Sequence, residues 1–299
     1  MPNVESLINH IKNVHPEITG DNPISVITEG SANIVLVVES GKPWIFRFPR
    51  DDNPTAPRQM KREQWILPRL MNRVPYIPQV SIVSERPIPY IGYPKINGTQ
   101  LLPAYFSKLQ EEKRERLAKD LARFLSTLHS FQAEAYFPQE NTRPSFVKRK
   151  WENKLNVIKE LVFPDLNDSQ RDWTLRLFDS FLSNDKHFEF HCRFIHGDLK
   201  PQHILVDERT KQLTGVIDLG LMMDDPALDF GYLGFGSSFQ NKLLKHYKGF
   251  QDETFPDRIL FYKKTIPFYG LLYGAINKRK EVFKDDLQLL NEFMAEDAK

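Results

Sequence analysis

Residues 194–206 read Phe194-Ile-His-Gly-Asp-Leu-Lys-Pro-Gln-His-Ile-Leu-Val206, and residues 215–220 read Gly215-Val-Ile-Asp-Leu-Gly220. Asp198 lies in a polar loop between apolar segments, where a carboxylate can reach a cleft. His203 comes just before a short apolar run, and Asp218 ends the next one. Because a hairpin of two short strands holds such positions alongside each other, the pattern predicts that His203 and Asp218 reach one ion.

This combination of side chains suits the transfer of a phosphoryl group. The reaction needs a carboxylate near the acceptor hydroxyl and metal ligands that hold cations on the phosphates. Taken singly, Asp198 is explained as a turn residue and His203 as a satisfied polar group. Together with Asp218, and at this spacing, they favour a phosphoryl-transfer site.

The N-terminal part of the chain has the pattern of a small, β-rich lobe. Apolar residues at helical spacing predict an opening helix over 4–14, and β-branched or aromatic runs then predict strands. A second helix follows the third strand, and Pro68 leaves the end of that helix open. The predicted elements of the lobe are strands at 24–27, 34–38, 44–48, 79–84 and 89–93 and a helix at 58–71.

The C-terminal part has the pattern of a larger, mostly helical lobe. The segment Pro94-Lys-Ile-Asn-Gly98 breaks the strand pattern and predicts a hinge. The expected fold class is therefore α+β, with a five-stranded antiparallel lobe over 1–93, a hinge at 94–98 and a helical lobe over 99–299. Within the helical lobe we expect helices at 111–130, 144–162, 168–187 and from about 226 onward, and strands at 204–206 and 213–217.

The composition is that of an ordinary globular protein, with 40% hydrophobic and 27% charged residues. The 41 basic and 39 acidic residues leave a net charge of +2, which argues against a dedicated nucleic-acid binder. The one basic cluster, at 148–150, reads as a solvated helix end. Cys192 is the single cysteine and cannot form an internal disulfide, and no apolar run is long enough for a membrane span. We therefore expect a cytoplasmic monomer without nucleic-acid or membrane partners.

Two motifs carry a resemblance to a known family. The motifs His196-Gly-Asp-Leu-Lys-Pro-Gln-His203 and Ile217-Asp-Leu-Gly220 resemble the catalytic and metal-binding loops of the protein-kinase-like superfamily. The His-Gly-Asp opening is similar to that of aminoglycoside and choline kinases, not to the His-Arg-Asp of protein kinases. The histidine at position 203 resembles the aminoglycoside 2''-phosphotransferase group, and macrolide phosphotransferases share it. The resemblance covers roughly residues 24–235 and implies a bilobal, protein-kinase-like enzyme of antibiotic resistance.

By this resemblance, Asp198 is the catalytic carboxylate, which orients the acceptor hydroxyl and takes its proton late in the transfer. His203 and Asp218 bind magnesium. Because Mg²⁺ prefers oxygen ligands, an imidazole is tolerable there only if phosphate oxygens and waters fill the other positions. Lys200 steadies the transferring phosphoryl or, alternatively, is a surface lysine, since many antibiotic kinases lack it.

The resemblance also assigns nucleotide-binding residues in the small lobe. The loop that includes Gly30, Ser31 and Asn33 would close over the phosphates, although it has one glycine where protein kinases have three. Arg47 stands where such kinases carry a phosphate-contacting lysine, and Glu63 is its expected partner. Period-two alternation turns Phe46 and Phe48 to the opposite face of the strand and leaves Arg47 free to enter the cleft. A surface arginine is the alternative.

The remaining nucleotide contacts are expected around the hinge. The segment Gly92-Tyr-Pro-Lys-Ile-Asn-Gly98 resembles the family, and we expect Tyr93, Lys95 and Ile96, together with Ile217, to line the nucleotide site. Tyr93 stands at the position that guards the depth of the base pocket in this superfamily. A large ring there predicts GTP in preference to ATP as the phosphoryl donor.

The acceptor is the least determined part of the site. Aminoglycosides are polycations whose kinases present carboxylates, yet the stretch after the acids Asp225 and Asp229, which we expect to support the catalytic loop, has no carboxylate over 232–240. Either acids further along supply the negative surface, or the acceptor is less cationic, such as a macrolide. The candidate acids are Glu281, Asp285 and Asp286, and the candidate aromatic wall is Phe235, Phe239, Tyr269 and Tyr273.

Three other interpretations remain beside the aminoglycoside kinase. One is a kinase of an ordinary metabolite such as an amino alcohol or sugar, because the sequence does not name the acceptor. Another is a kinase-like binding module that has lost its chemistry, which the intact Asp198, His203 and Asp218 disfavour. A protein kinase is disfavoured because no Ala-Pro-Glu follows Asp218 and no room remains for a long activation loop.

Overall fold

A computed structural model describes residues 3–28, 32–131 and 143–298 of the chain. The chain divides into two compact units: the first comprises 1–127 and 202–221, and the second comprises 128–201 and 222–299. This division follows different lines from the lobes predicted on either side of 94–98. The predicted lobe boundary therefore stays a prediction.

Strands predominate in the first part of the chain and helices in the second. In chain order they are α1 (Val4–Val14), α2 (Pro16–Thr19), β1 (Ile24–Ile27), β2 (Asn33–Val38), β3 (Trp44–Pro49), α3 (Ala56–Leu70), β4 (Ile82–Ser84), β5 (Tyr90–Pro94), β6 (Thr99–Gln100), α4 (Pro103–Phe106), α5 (Glu111–His129), α6 (Pro144–Leu161), α7 (Asp168–Leu182), β7 (Arg193–Ile195), β8 (Ile204–Val206), β9 (Leu213–Val216), β10 (Met222–Asp224), α8 (Ala227–Gly231), α9 (Gly236–His246), α10 (Phe255–Lys264), α11 (Pro267–Asn277) and α12 (Lys280–Asp297).

The predicted five-stranded antiparallel sheet is confirmed in the first unit, with strand order β1-β2-β3-β5-β4. Alternation along β3 divides its side chains between two faces: Phe46 and Phe48 are fully buried in a core with Leu7, Ile11 and Tyr90. Arg47 lies on the other face of the strand, as period two requires. The sheet thus turns one arginine away from the apolar core.

Some predicted bounds were wrong, each for a local reason. The strand predicted over 79–84 is shorter and begins at Ile82, and the helix predicted over 168–187 ends at Leu182 and is followed by a 3-10 turn. Pro68 lies inside α3, in its last turn, and does not end it. Only four residues without regular secondary structure remain in the segment predicted as a hinge, because Pro94 is the last residue of β5 and the next strand, β6, begins at Thr99.

The first unit also contains a small sheet of order β6-β8-β9, which holds the segment after the catalytic motif. Two glycines let its strands approach neighbouring chain closely. A Cβ on Gly98, whose φ is +150°, would lie 2.5 Å from the hydroxyl oxygen of Thr214, and a Cβ on Gly215 would lie 2.6 Å from Ile96. Close packing here therefore depends on the missing side chains.

The second unit is helical around an aromatic core. Trp151 on α6 packs against Phe178, Phe261 and Tyr262, which come from α7 and α10. A two-stranded antiparallel pair, β7 with β10, was not predicted. It pairs Ile195 with Met222 and so places a strand directly before the catalytic motif. Among the described residues, no helix combines the length and the apolar character needed to cross a membrane.

Candidate active site

Arg47 joins two carboxylates in the first unit. Its Nη1 donates to Oε2 of Glu63 on α3 at 2.9 Å, and its Nη2 donates to Oδ1 of Asp218 at 2.8 Å. Arg47 and Glu63 are only 7% and 6% exposed, whereas the Asp218 side chain is half exposed. The predicted pairing of Arg47 with Glu63 is therefore present, and the alternative of a surface arginine is wrong.

Burial and charge act in opposite directions on this group. Burial alone would lower the pKa of Arg47, but Glu63, Tyr93 and Asp218 outweigh it and raise that pKa above its ordinary value. Burial raises the pKa of Glu63, against the attraction of Arg47. Arg47 thus keeps its charge although it is buried away from bulk water.

Asp218 and His203 are brought together by the hairpin of β8 and β9, as predicted. Nε2 of His203 lies 3.5 Å from Oδ2 of Asp218, and the amide of Ile217 donates to the carbonyl of His203 at 2.9 Å. Asp218 has φ +59°, a left-handed conformation that costs an ordinary side chain energy and that is found at functional turns.

The donors fit a magnesium ion held jointly with phosphates. One carboxylate and one imidazole supply two ligand atoms at most a few ångströms apart, and within the described ranges no cluster of three or more His, Cys, Asp or Glu side chains is arranged for a metal. Because Mg²⁺ keeps several waters and phosphate oxygens, two protein ligands are compatible with it.

The remaining residues predicted for the nucleotide lie in the first unit in different environments. Tyr93 shares the sheet face of Arg47 and is hydrogen-bonded to it, and burial raises the pKa of its hydroxyl to about 12. Asn33 is buried at the start of β2, and Ile217 is partly buried. The Lys95 amide donates to the Pro43 carbonyl, and its side chain is exposed. Ile96 packs on Gly215, and Gly30 and Ser31 lie outside the described residues.

The predicted catalytic pair lies in the second unit. Nζ of Lys200 is 2.6 Å from Oδ1 of Asp198, and the Lys200 amide donates to the Asp198 carbonyl at 2.9 Å. The two side chains are 40% and 37% exposed, so both can meet a ligand. Lys200 is thus not an isolated surface lysine but the ion-pair partner of the candidate catalytic carboxylate.

The backbone before Asp198 is held by a buried carboxylate. Oδ2 and Oδ1 of Asp229 accept from the amides of His196 and Gly197 at 2.9 and 2.8 Å. Burial alone would raise the pKa of Asp229, but His129, His196 and the Gly197 amide lower it below its usual range. Asp229 thus supports the predicted catalytic loop as an ionised carboxylate that accepts hydrogen bonds from two amides of the loop.

His129 is the member of this network that sequence reasoning missed. Its Nε2 lies 3.0 Å from Oδ2 of Asp229, and its Nδ1 lies 2.7 Å from the hydroxyl of Tyr247. A histidine at the end of an amphipathic helix has no sequence signal that points to a carboxylate so far along the chain. Asp225, by contrast, contacts Arg258 and Tyr262 and serves packing between α8 and α10.

Replacing the loop-supporting carboxylate separates positioning from stability. We expect Asp229→Asn to lower kcat by about tenfold or more, because an amide cannot accept from both loop amides and pair with His129. Asp225→Asn is the matched control, since it also removes a buried carboxylate but one that does not contact the loop. Melting temperatures should fall for both variants, while kcat of the folded fraction falls only for Asp229→Asn. An unchanged kcat in Asp229→Asn would remove it from this role.

Around Asp198, the second unit carries aromatic and charged groups of both signs. The hydroxyls of Tyr232 and Tyr269 are hydrogen-bonded at 2.6 Å, and Lys150 pairs with Asp224. Lys150 therefore does not simply form a solvated helix end, as the sequence suggested. Burial raises the pKa of Asp286 to about 6, with Asp285 adding to it and Lys200 opposing it.

The two sets of residues considered for the acceptor differ in exposure. Tyr269 and Tyr273 on α11 are 43% and 48% exposed, whereas Phe239 is buried and packs edge to face on Phe235. The carboxylate of Asp286 occupies the space in front of Gly270, where a Cβ would meet it at 1.8 Å. A glycine in α11 thus admits an acid from α12 beside the exposed tyrosines.

Comparison with known proteins agrees with this chemistry. A sequence model described as the phosphotransferase enzyme family (APH) matches residues 23–258. The chain is similar to wild-type aminoglycoside 2'-phosphotransferase-IIIa solved with GDP, at 27% identity and a TM-score of 0.87, over 99% of this chain and 100% of that one.

Two further solved structures are similar to the chain over nearly its whole length. The GDP and kanamycin complex of APH(2")-IIIa is 27% identical, with a TM-score of 0.86, over 97% of this chain and 99% of that one. Macrolide 2'-phosphotransferase MphH from Brachybacterium faecium is 20% identical, with a TM-score of 0.73, over 96% of this chain and 98% of that one. The macrolide likeness concerns the fold alone.

Proposed function

This chain belongs to the phosphotransferase enzyme family, and we propose that it transfers the γ-phosphoryl group of GTP or ATP to a hydroxyl of an aminoglycoside-type antibiotic. The observation that carries the phosphoryl-transfer part is the pair of ion contacts from Arg47 to Glu63 and Asp218. The acceptor class is supported by the 27% identity, over nearly the full length of both chains, to an enzyme solved with kanamycin.

In this function Asp198 orients the acceptor hydroxyl and takes its proton as the oxygen bonds to the γ-phosphorus. The bond from that phosphorus to the bridging oxygen breaks, and the nucleoside diphosphate leaves. Lys200, 2.6 Å from Asp198, neutralises charge on the transferring group. Arg47 contacts the phosphates through its fork of donors, and Glu63 holds the guanidinium in place.

His203 and Asp218 are the residues that would hold Mg²⁺. When bound, the ion neutralises charge on the phosphates and aligns them for transfer. Asn33, Lys95, Ile96 and Ile217, with the loop of Gly30 and Ser31, complete the nucleotide-binding set that we propose. The division into a nucleotide lobe over 1–93, a hinge at 94–98 and an acceptor lobe over 99–299 belongs to the same proposal, as does a cytoplasmic monomer.

A less cationic alcohol is the second candidate acceptor, and a macrolide is its leading example. One feature of the chain favours it: residues 230–251 include no Asp or Glu, so a polycation meets few carboxylates there. The alternative of an inactive binding module has no observation in its favour. It predicts that no nucleotide is consumed with any acceptor.

The deciding experiment is a steady-state assay with Mg²⁺, GTP or ATP, and a panel of acceptors. The panel holds kanamycin- and gentamicin-type aminoglycosides, erythromycin, and simple amino alcohols and sugars. We expect saturable phosphate transfer to the aminoglycosides. Transfer to erythromycin alone would exclude the aminoglycoside acceptor and keep the kinase, whereas transfer to none, with no hydrolysis of nucleotide, would exclude the kinase as well.

Tyr93 provides a test of donor choice. We expect wild-type protein to have a higher kcat/KM with GTP than with ATP, and Tyr93→Ala to reduce this preference by about tenfold because the ring no longer limits the base pocket. Tyr93→Phe is the matched variant: it keeps the ring and loses the hydroxyl bonded to Arg47. It should keep the preference and lower kcat with both nucleotides. Equal kcat/KM for GTP and ATP in the wild type would contradict the role of Tyr93.

A further inference from the structure

A lysine lies on the face of a tyrosine in the second unit. Nζ of Lys154, on α6, is 3.2 Å from the centroid of the Tyr269 ring on α11 and 5.2 Å from the Trp151 ring. At such distances an ammonium group is attracted to the negative face of the ring. Tyr269 is 43% exposed, so one end of this contact is open to a ligand.

The neighbouring charges make the position of Lys154 unusual. Lys150 lies one helical turn before Lys154 and forms an ion pair with the carboxylate of Asp224. Within 3–28, 32–131 and 143–298, no Asp or Glu forms an ion pair with Lys154. Burial and, to a smaller extent, the positive charge of Lys150 together lower the pKa of Lys154 to about 7. The amine of Lys154 thus lies on the face of the Tyr269 ring, where burial and the neighbouring Lys150 disfavour an additional positive charge.

The Lys154–Tyr269 pair is joined to a second tyrosine, and the charge of Asp198 acts on both tyrosines. The hydroxyl of Tyr269 is 2.6 Å from that of Tyr232. Burial is the main cause that raises the pKa of each tyrosine, and the negative charge of Asp198 contributes to both shifts. The Tyr269 ring, on which Lys154 lies, is therefore hydrogen-bonded to Tyr232, and the hydroxyl pKa of both tyrosines is raised in part by the charge of Asp198.

We propose that Lys154 is a specificity-determining residue of the acceptor site, which selects acceptors that present an oxygen, and not an ammonium group, at Tyr269. The inference rests on the proposed function and narrows its acceptor class. An amine donor beside the ring bonds a hydroxyl, ether or carboxylate oxygen. When protonated, at a pH below its pKa of about 7, it repels an ammonium group that approaches the same place, because like charges a few ångströms apart interact strongly where water is partly excluded.

The test compares kanamycin A with kanamycin B, which differ by one hydroxyl-to-amine exchange, and adds gentamicin-type drugs with more amines per ring. We expect the wild type to have a lower kcat/KM for the acceptors with more amines. The assays are run at about pH 6, below the pKa of about 7, so that Lys154 carries its charge; Lys154→Met keeps an apolar side chain beside Trp151 and removes that charge. It should raise kcat/KM for the amine-rich drugs relative to the hydroxyl-rich ones by about tenfold.

Two companion variants separate specificity from structure. Lys159→Met, on the same helix but exposed, should leave the ratio unchanged, and Lys154→Gln replaces Lys154→Met if the latter melts much earlier than wild type. An unchanged ratio in both Lys154 variants, or an equal loss with every acceptor, overturns the inference while the kinase stands. Absence of transfer to any acceptor by the wild type would instead reject the proposed function.

Discussion

Asp198→Asn is expected to lower kcat by on the order of 10²-fold or more while the protein stays folded and binds nucleotide nearly as well as the wild type. An amide cannot take the proton of the acceptor hydroxyl. The substitution also removes the negative charge of Asp198, whose Oδ1 lies 2.6 Å from Nζ of Lys200. The fold should survive because the side chain is partly exposed and the loop is held through the amides of His196 and Gly197, which bond to Asp229.

The measurement is single-turnover transfer with a saturating acceptor, beside nucleotide binding by calorimetry and thermal melting. Asp207→Asn is the matched control, because Asp207 is a carboxylate of the same segment that bonds within its own turn to Thr210. That variant should keep at least half of the wild-type rate. If Asp198→Asn retained more than about a tenth of the wild-type rate, Asp198 would have no acid–base role.

Asp218→Ala is expected to have the second large effect, a rise in the magnesium concentration needed for half-maximal rate by about tenfold or more. The variant loses the charged ligand and also one of the two carboxylates that hold Arg47. His203→Ala should raise the same requirement less, because a neutral imidazole contributes no charge. Asp218→Ala should also lose some stability, because alanine tolerates the φ of +59° at this position less well than aspartate does, although Glu63 still holds the guanidinium.

A magnesium titration of the initial rate at fixed nucleotide measures this effect. Glu39→Gln is a suitable control in the same unit, because Glu39 bonds Ser25 at 2.9 Å and has no part in the site. Half-maximal magnesium concentrations that match the wild type in both Asp218→Ala and His203→Ala would remove the two residues from the metal site.

Local pattern predicted much of the geometry of the candidate site in the first unit. Alternation along 44–48 predicted that Phe46 and Phe48 enter the core and that Arg47 turns away from it, and burial of both phenylalanines confirms this. The spacing of His203 and Asp218 around two short apolar runs predicted a hairpin, and the two side chains meet at 3.5 Å. These predictions succeed because each depends on the period of one element and on one short turn.

Strand and helix ends were less accurate because they depend on contacts outside the element. The segment 79–84 was predicted as strand, yet the strand begins at Ile82, and of the residues before it the Ser81 amide bonds β5, at the Gly92 carbonyl. A helix was predicted to continue to 187, but it ends at Leu182, and His187 stacks on Phe181 from a separate turn. Residue propensity alone does not indicate at which residue the backbone hydrogen bonds of a helix or strand end.

By itself, the sequence determined the family of the chain and its five-stranded sheet, and it predicted the candidate site residues in the His-Gly-Asp motif, at Asp218 and at Arg47. Tertiary structure alone decided which distant side chains contact one another around these residues. His129 meets Asp229, Tyr93 bonds Arg47, and Lys154 lies on Tyr269. Each is a contact between residues far apart in sequence, and no local period encodes it. It forms because a buried polar group must find a partner once its helix or strand has packed, and only the completed fold offers one.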